Sequence, residues 1–108
     1  MYDGLKAALL AQSLIPMAEY EWSTRPAGEY GTFQIDFMAS NDNGDDFHQG
    51  EAWEGSIDLY TRGRKPLIWA GIEAILNIYC EGSWYMNLET VDSGTRLLHR
   101  EYVFELEA

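Results

Sequence analysis

The sequence predicts an α+β fold, with a largely antiparallel sheet of about four to five strands and two helices in the order α-β-β-β-α-β-β. Several segments alternate apolar and polar residues, as half-buried strands do. Two others carry apolar residues at helical spacing, one near the N-terminus and one between the third and fourth strands. Because the chain has 108 residues, a single domain over 1–108 is expected.

The first four elements follow from local signals. Residues 3–14 are expected to form a short helix, which Pro16 ends because proline disfavours helical geometry in the residue before it. The segment "MAEYEW" can run extended, and "TFQIDFMAS" alternates after a turn-rich stretch. The segment "AWEGSIDLYT" alternates again and gives the third predicted strand.

The second half of the chain is predicted in the same way. Pro66 suits the first turn of a second helix, which should run to about Tyr79 and stop near Gly82. In "SWYMNLETV", the alternation predicts Trp84, Met86 and Leu88 on one face of the fourth strand. The last strand has four inward candidates, which are Leu98, Tyr102, Phe104 and Leu106.

The second predicted helix is apolar on nearly every side. One stripe at helical spacing includes Ile72, and apolar residues such as Trp69 and Ile78 extend around the rest. A helix that packs on one sheet needs a single apolar face. The other face is covered either by the first helix or the segment around Met17 and Trp22, or by a neighbouring subunit, since obligate interfaces resemble a core cut in half.

Three of the seven basic residues form a basic collar at the start of this helix, namely Arg62, Arg64 and Lys65. Cations there oppose the helix macrodipole, at a cost of about a few tenths of a kcal/mol each, so helix stability does not explain them. The richest source of carboxylates is the loop after the second predicted strand. Two complementary patches predict a head-to-tail contact, which closes into a ring if the rotation permits. The alternative is that both clusters are solvated and do not interact.

Charge and composition exclude several classes of function. The net charge is −11, which argues against ordinary nucleic-acid binding, because that needs cations to neutralise phosphates. The single Cys80 excludes an intramolecular disulfide and a cysteine-based zinc site. The longest apolar run, "PLIWAGIEAILNIYC", is too short to span a bilayer, and the N-terminus lacks the pattern of a signal peptide. A soluble protein that is not an enzyme is expected.

No cofactor, metal or catalytic site is expected from the motifs. Cys80 and His99 offer a nucleophile and a base, but Cys80 ends an apolar helix, where a buried inert thiol is the commoner state. His48 could join Asp45 or Asp46 around a metal, yet the loop lacks the spacing of a calcium-binding loop. The sequence also lacks a phosphate-binding glycine motif, a serine elbow and paired zinc ligands.

Four segments together have the character of a known family. They are "LIPMAEYEW" after a short helix, "EYGTFQIDF" before an acidic loop, "GSIDLYTRGRKPLIWAGIEAIL", and the closing "TRLLHREYVFEL". In order and character they resemble the small tail-terminator, tail-completion and head–tail joining proteins of long-tailed, siphovirus-type bacteriophages. The strand end "DLYT" followed by a basic turn is the most distinctive of these signatures.

The resemblance implies a structural virion protein that forms a ring, typically a hexamer, which caps the tail tube and joins it to the head connector. The implied partners are further copies of the chain, the tail-tube protein and the head connector or stopper protein, with assembly in the host cytoplasm and no membrane. DNA would pass through without specific binding, because carboxylates repel phosphates. A lumen- or partner-facing loop is implied at Asp42, Asp45, Asp46, His48 and Glu51. A subunit interface is implied at Arg62, Arg64, Lys65, Trp69, Ile72 and Glu73.

Two other functions fit part of the sequence. An acidic inhibitor that imitates DNA, of the anti-restriction or anti-CRISPR type, needs rows of carboxylates, which the loop and Glu101, Glu105 and Glu107 offer. The apolar second helix counts against it, because such a mimic needs no large apolar surface. A small ligand-binding or enzyme-accessory domain with tryptophans as pocket walls is the third reading, although aromatics at such positions are usually core.

Overall fold

The computed structural model describes residues 2–39 and 52–107, and its element order is the one that the sequence predicts. Five strands form one sheet in the order β1-β2-β3-β5-β4, in which β1 and β2 are parallel and the other neighbours antiparallel. The chain is therefore an α+β fold. The elements are α1 (Tyr2–Ala11), β1 (Met17–Glu19), β2 (Tyr30–Ala39), β3 (Ala52–Thr61), α2 (Pro66–Cys80), β4 (Trp84–Val91) and β5 (Leu98–Glu107).

The core lies between the sheet and the two helices. Every second residue of β3 and of β5 points to this side, which we call the helix face of the sheet. The residues from the strands and the two helices belong to one continuous apolar cluster. The opposite side, which we call the open face, has no helix on it among the described residues. Fully buried members of the core include Leu5, Leu9, Phe33, Ile57, Leu59, Ile72, Leu76, Tyr102 and Phe104.

Helix α1 ends earlier than predicted because a side chain replaces the next helical turn. The Gln12 amide nitrogen donates to the carbonyl oxygens of Leu9 and Ile15, at 3.1 and 2.6 Å. The start of the helix is tied to β1, since the Tyr2 hydroxyl donates to Oε2 of Glu19 at 2.7 Å. Lys6 Nζ lies 2.9 Å from the other oxygen of the same carboxylate. These contacts hold α1 against the parallel edge of the sheet.

Helix α2 begins and ends where the sequence signals place it, within one residue. Pro66 occupies the first turn, where a missing N–H costs nothing. Glu81 and Gly82 both have positive φ, 50° and 88°, which is the usual left-handed exit from a helix. Of the helices in residues 2–39 and 52–107, neither is both long enough and apolar enough to cross a membrane.

The prediction that Met86 and Leu88 share one face of β4 is wrong. Met86 is opposite Tyr102, which faces the core, whereas Leu88 is opposite Glu101 on the open face. The register shifts between them because Asn87 forms a β-bulge, which reverses the side on which later residues point. The Asn87 amide donates to Glu101 at 2.8 Å, so the extra residue is held in place.

Candidate assembly surfaces

The basic collar lies at one end of the sheet, between β3 and α2. Lys65 Nζ is 3.7 Å from Oε2 of Glu29, and the backbone N–H of Arg62 donates to that same oxygen at 2.8 Å. Arg64 Nη1 lies 3.6 Å from Oε2 of Glu89. Two of the three collar cations are thus paired with glutamates of their own chain. Within residues 2–39 and 52–107, the guanidinium of Arg62 has no carboxylate at ion-pair distance.

Behind the collar, Arg100 forms the centre of an internal polar network. Its Nη1 is 3.1 Å from Glu89 and its Nη2 is 3.3 Å from Glu73. Its Nε donates to the Tyr102 hydroxyl at 2.8 Å, and that hydroxyl donates to Glu73 at 2.6 Å. The guanidinium carbon lies 4.2 Å from the centre of the Trp69 ring, a cation–π distance. Burial and the bond to Glu73 raise the pKa of the Tyr102 hydroxyl, so it remains a donor.

Three residues implied as a subunit interface therefore face their own chain. Trp69 is 4% exposed and Ile72 is 0% exposed, so neither offers surface to a second copy. Glu73 is occupied by Arg100 and Tyr102. A subunit contact at α2 would have to use the opposite side of the helix.

That opposite side carries apolar residues in solvent. Leu67 and Ile78 are 84% and 67% exposed, and Ala74 lies between them on the same side of the helix. Leu14 is 47% exposed and lies against Gly71, where an added Cβ would collide with Leu14 Cδ1. Helix α1 and its C-terminal segment therefore cover one flank of α2 and leave the outer face uncovered. We call this uncovered surface, formed by Leu14, Leu67, Ala74 and Ile78, the helix-layer patch.

The open face carries an aromatic column at the collar end. The Tyr30 and Tyr60 rings stack with centroids 4.8 Å apart, and the His99 ring stacks on Tyr60 at 4.4 Å. His99 Nε2 lies 2.7 Å from Oδ1 of Asp58, which closes the column. Burial raises the pKa of the Asp58 carboxyl, while the bond to His99 acts in the opposite direction. The column is a rigid base for the side chains around it.

Carboxylates occupy directly opposed positions on the open face. Glu54 of β3 is opposite Glu105 of β5, and Asp58 is opposite Glu101. Like charges opposite each other across a strand pair destabilise it, so folding alone does not favour this arrangement. The Glu54–Glu105 pair lies at the end of the sheet away from the collar.

The acidic loop residues Asp42, Asp45, Asp46, His48 and Glu51 lie outside the described residues. The loop connects β2 to β3, whose adjoining ends pair at Ala39 and Ala52. The collar follows the other end of β3, so the loop is attached at the end of the sheet opposite the collar. Within the described part of a single chain, the carboxylates beside the collar are those of Glu29 and Glu89, and the contact between the collar and the loop of another copy stays a prediction.

Cys80 and His99 do not form a catalytic pair. Cys80 is 4% exposed in the core on the helix face, and burial raises its pKa to about 12. His99 points to the open face, where it is bonded to Asp58. In the described part of the chain, no three His, Cys, Asp or Glu side chains are placed to hold a metal ion.

We expect Cys80 to resist thiol reagents as long as the chain is folded. A disulfide reagent at pH 8 should modify it fully in denaturant and very slowly in buffer, because the thiolate is both disfavoured and inaccessible. The release of the chromophore, followed with time, measures both rates. Native modification at the rate of an unfolded cysteine would show that the core around α2 opens readily.

Nothing in the sequence marks Glu29 or Glu89 as partners of the collar, since both are distant from it along the chain. Their roles depend on strand register, and in β4 a bulge sets that register.

In comparisons with protein-family models and with curated proteins, no match to this chain was found.

Proposed function

We propose that this chain is a structural subunit that assembles with further copies of itself into a ring, of the type that completes phage tails and joins them to heads. The observation that carries the proposal is the helix-layer patch. Its leucine and isoleucine side chains are exposed in the single chain, whereas the inner side of α2 is buried against the sheet. A second copy that covers them would complete the burial of the helix.

The energetics favour such a contact. Full burial of a leucine or isoleucine side chain contributes about 1.5–3 kcal/mol. Leu67 and Ile78 each retain most of that surface in the single chain. Ala74 between them lets another backbone approach closely, since it projects only a methyl group. Contiguous exposed apolar surface of this kind commonly marks a protein interface.

The tail-ring assignment rests on the residue resemblance and on electrostatics. The partners would be the tail-tube protein and the head connector or stopper protein, and the location would be the tail or neck of the virion. Carboxylates greatly outnumber cations, so a ring of these subunits would repel DNA in transit. The chain would act by assembly and not by catalysis, with no cofactor. The loop and interface roles of the acidic and basic residues remain predictions.

A second candidate is the acidic inhibitor that imitates DNA, and the paired carboxylates of the open face favour it. The spacing of these carboxylates along the strand does not favour it. Glu54 and Asp58 are four residues apart on one strand, which is about 13 Å. Phosphates follow one another at about 3.4 Å of axial rise on each DNA strand, so the rows are sparse. Inhibition of a nuclease at stoichiometric concentration would support this alternative against the ring.

The proposed assembly predicts a defined loss of mass when the patch is made polar. The wild-type chain should form a discrete oligomer, and the double substitution Leu67→Ser with Ile78→Ser should reduce it to monomer, because the contact loses its apolar area. Light scattering across a concentration series measures both. Val91→Ser is the matched control, since Val91 is 60% exposed on β4 and lies outside the helix-layer patch. A wild type that stays monomeric throughout, or a patch variant of unchanged mass, would contradict the proposal.

A further inference from the structure

A cleft of about 400 Å³ lies at the collar end of the sheet and has two arginines in its wall. Arg25 comes from the turn before β2, and Arg62 from the turn after β3. Tyr30 forms part of the base, and the turn between β4 and β5 contributes Thr95. We call this the arginine cleft.

The two arginines of this cleft have no ion-pair partner in the part of the chain that the structure describes. Lys6, Arg64, Lys65 and Arg100 each have a carboxylate within 4.0 Å, whereas the guanidiniums of Arg25 and Arg62 have none among the described residues. In a chain with 18 acidic and 7 basic residues, carboxylates are abundant. Two unpaired guanidiniums in one cleft therefore suit an anion from outside the chain.

The cleft is held in shape before any ligand arrives. The guanidinium carbon of Arg25 lies 5.4 Å from the Tyr30 ring centre, and its Nη1 is 3.4 Å from the Tyr30 hydroxyl. Tyr30 is 6% exposed and belongs to the aromatic column, so this support is rigid. The backbone of Arg62 is fixed by its bond to Glu29. The Thr95 hydroxyl donates to Asp92, which fixes that wall but leaves no hydroxyl proton for a ligand.

A second cleft, of about 370 Å³, lies at the opposite end of the sheet and has the opposite charge. Glu54 and Glu105 line it, together with Trp84 and Tyr85. The two glutamates are directly opposite each other across β3 and β5, and neither has a cation within 4.0 Å in the described part of the chain. Their mutual repulsion would be relieved by cations from outside. We call this the glutamate cleft.

One chain cannot bring these two clefts together. Glu54 and Arg62 are eight residues apart along β3 and the turn after it, which corresponds to about 26 Å in an extended strand. The hydrogen-bonded sheet between them does not bend back on itself, and the molecule is 47 Å long. The complementary charges can therefore meet only between two copies.

We propose that the arginine cleft of one copy receives Glu54 and Glu105 of a second copy. Guanidinium groups bind carboxylates through two parallel hydrogen bonds, so two arginines match two glutamates in number and in charge. The proposal rests on the proposed self-assembly and adds to it the residues that orient neighbouring subunits. Each copy carries a net charge of −11, so two copies repel each other. The arginine cleft provides a local positive charge that lets a second copy approach.

Charge reversal with mixing tests this contact. One variant carries Arg25→Glu and Arg62→Glu, and the other carries Glu54→Lys and Glu105→Lys. Each alone should weaken assembly roughly 100-fold or more, because like charges then face each other. An equimolar mixture should restore assembly to within about tenfold of wild type, since opposite charges meet again at every contact. Sedimentation velocity and native mass spectrometry measure the mass in each case.

Arg96→Glu is the matched control, because Arg96 is exposed, has no carboxylate partner among the described residues and does not line the cleft. It should assemble as wild type does. Two neutral variants keep the test valid if a reversed variant folds poorly. They are Arg25→Gln with Arg62→Gln, and Glu54→Gln with Glu105→Gln. Each should also weaken assembly. Circular dichroism checks the fold of each.

The outcomes separate the two proposals. If the wild type assembles and both reversed variants keep its mass, or if mixing restores nothing, the cleft contact is wrong while self-assembly stands. If mixing restores a closed dimer and no larger species, the contact is supported and the ring is contradicted. A wild type that is monomeric at every concentration and salt level overturns both.

Discussion

Arg100→Ala is expected to destabilise the fold by about 3 kcal/mol, the lower end of the usual cost of removing one partner from a buried ionic network, because Glu73 and Glu89 keep 31% and 23% of their side-chain exposure. Arg100 is 14% exposed at its side chain and contacts two glutamates, one tyrosine hydroxyl and the Trp69 ring. Its loss leaves Glu73 and Glu89 close to one another and partly shielded from water. Urea unfolding followed by tryptophan fluorescence measures the change in the free energy of unfolding.

The control for this prediction is Arg96→Ala. Arg96 is exposed and has no ion-pair partner among the described residues, so its removal should change stability by less than about 0.5 kcal/mol. Tyr102→Phe tests the network at a second atom. It removes the hydroxyl that donates to Glu73, and should cost about 1–3 kcal/mol. Equal stability of Arg100→Ala and the control would show that the network contributes nothing net.

The order and type of the elements could be predicted because their signals are local. Alternation identified the strands, and Pro66 and Gly82 marked the limits of α2. The bulge at Asn87 could not be predicted, because neighbouring strands and not local residue preference decide where an extra residue is accommodated. One bulge was enough to put Met86 and Leu88 on opposite faces.

The candidate surfaces were predicted only in part. The apolar excess of α2 was visible in the sequence, but which side faced outward was not, since Trp69 and Leu67 are both apolar. The structure buries Trp69 and exposes Leu67. The arginine cleft was not visible because its two arginines are 37 positions apart and meet only when β2 pairs with β3. Charge clusters in sequence therefore indicated the collar but not the unpaired cations.

The apolar character of α2 thus has two separate causes. Its inner side, with Ile72 and Leu76 fully buried, forms the core with the sheet. Its outer side forms the helix-layer patch, which the single chain leaves in water. The unfavourable interaction of the collar cations with the helix macrodipole is offset by neighbouring carboxylates. Glu29 lies beside Lys65, and Glu89 lies beside Arg64. Local charge pairing and the proposed subunit contact therefore use different basic residues.

Gly55→Ala is expected to destabilise the protein by about 3 kcal/mol or more, because a methyl group has no space there. An added Cβ would collide with the carbonyl oxygen of Gln34 and lie 2.6 Å from Cζ of Phe104. Neither neighbour can move cheaply. The carbonyl belongs to the central strand β2 beside its register shift, and Phe104 is 0% exposed. Glycine inside a strand often marks such a close backbone approach.

The midpoint of denaturant unfolding measures this loss. The dependence of the free energy of unfolding on denaturant concentration should stay unchanged, which shows that stability has altered and the unfolded state has not. Gly94→Ala is the matched control, because its added Cβ would meet only the Asp92 carboxylate at 3.5 Å, an ordinary contact. Phe104→Leu combined with Gly55→Ala should recover only part of the loss, because it relieves the ring contact and leaves the clash with the Gln34 carbonyl. Full recovery would instead assign the whole cost to the ring. If Gly55→Ala were as stable as the control, β2 and β3 would have to separate easily at the bulge. The rigidity of the sheet, which keeps the two charged clefts of one chain apart, would then be contradicted.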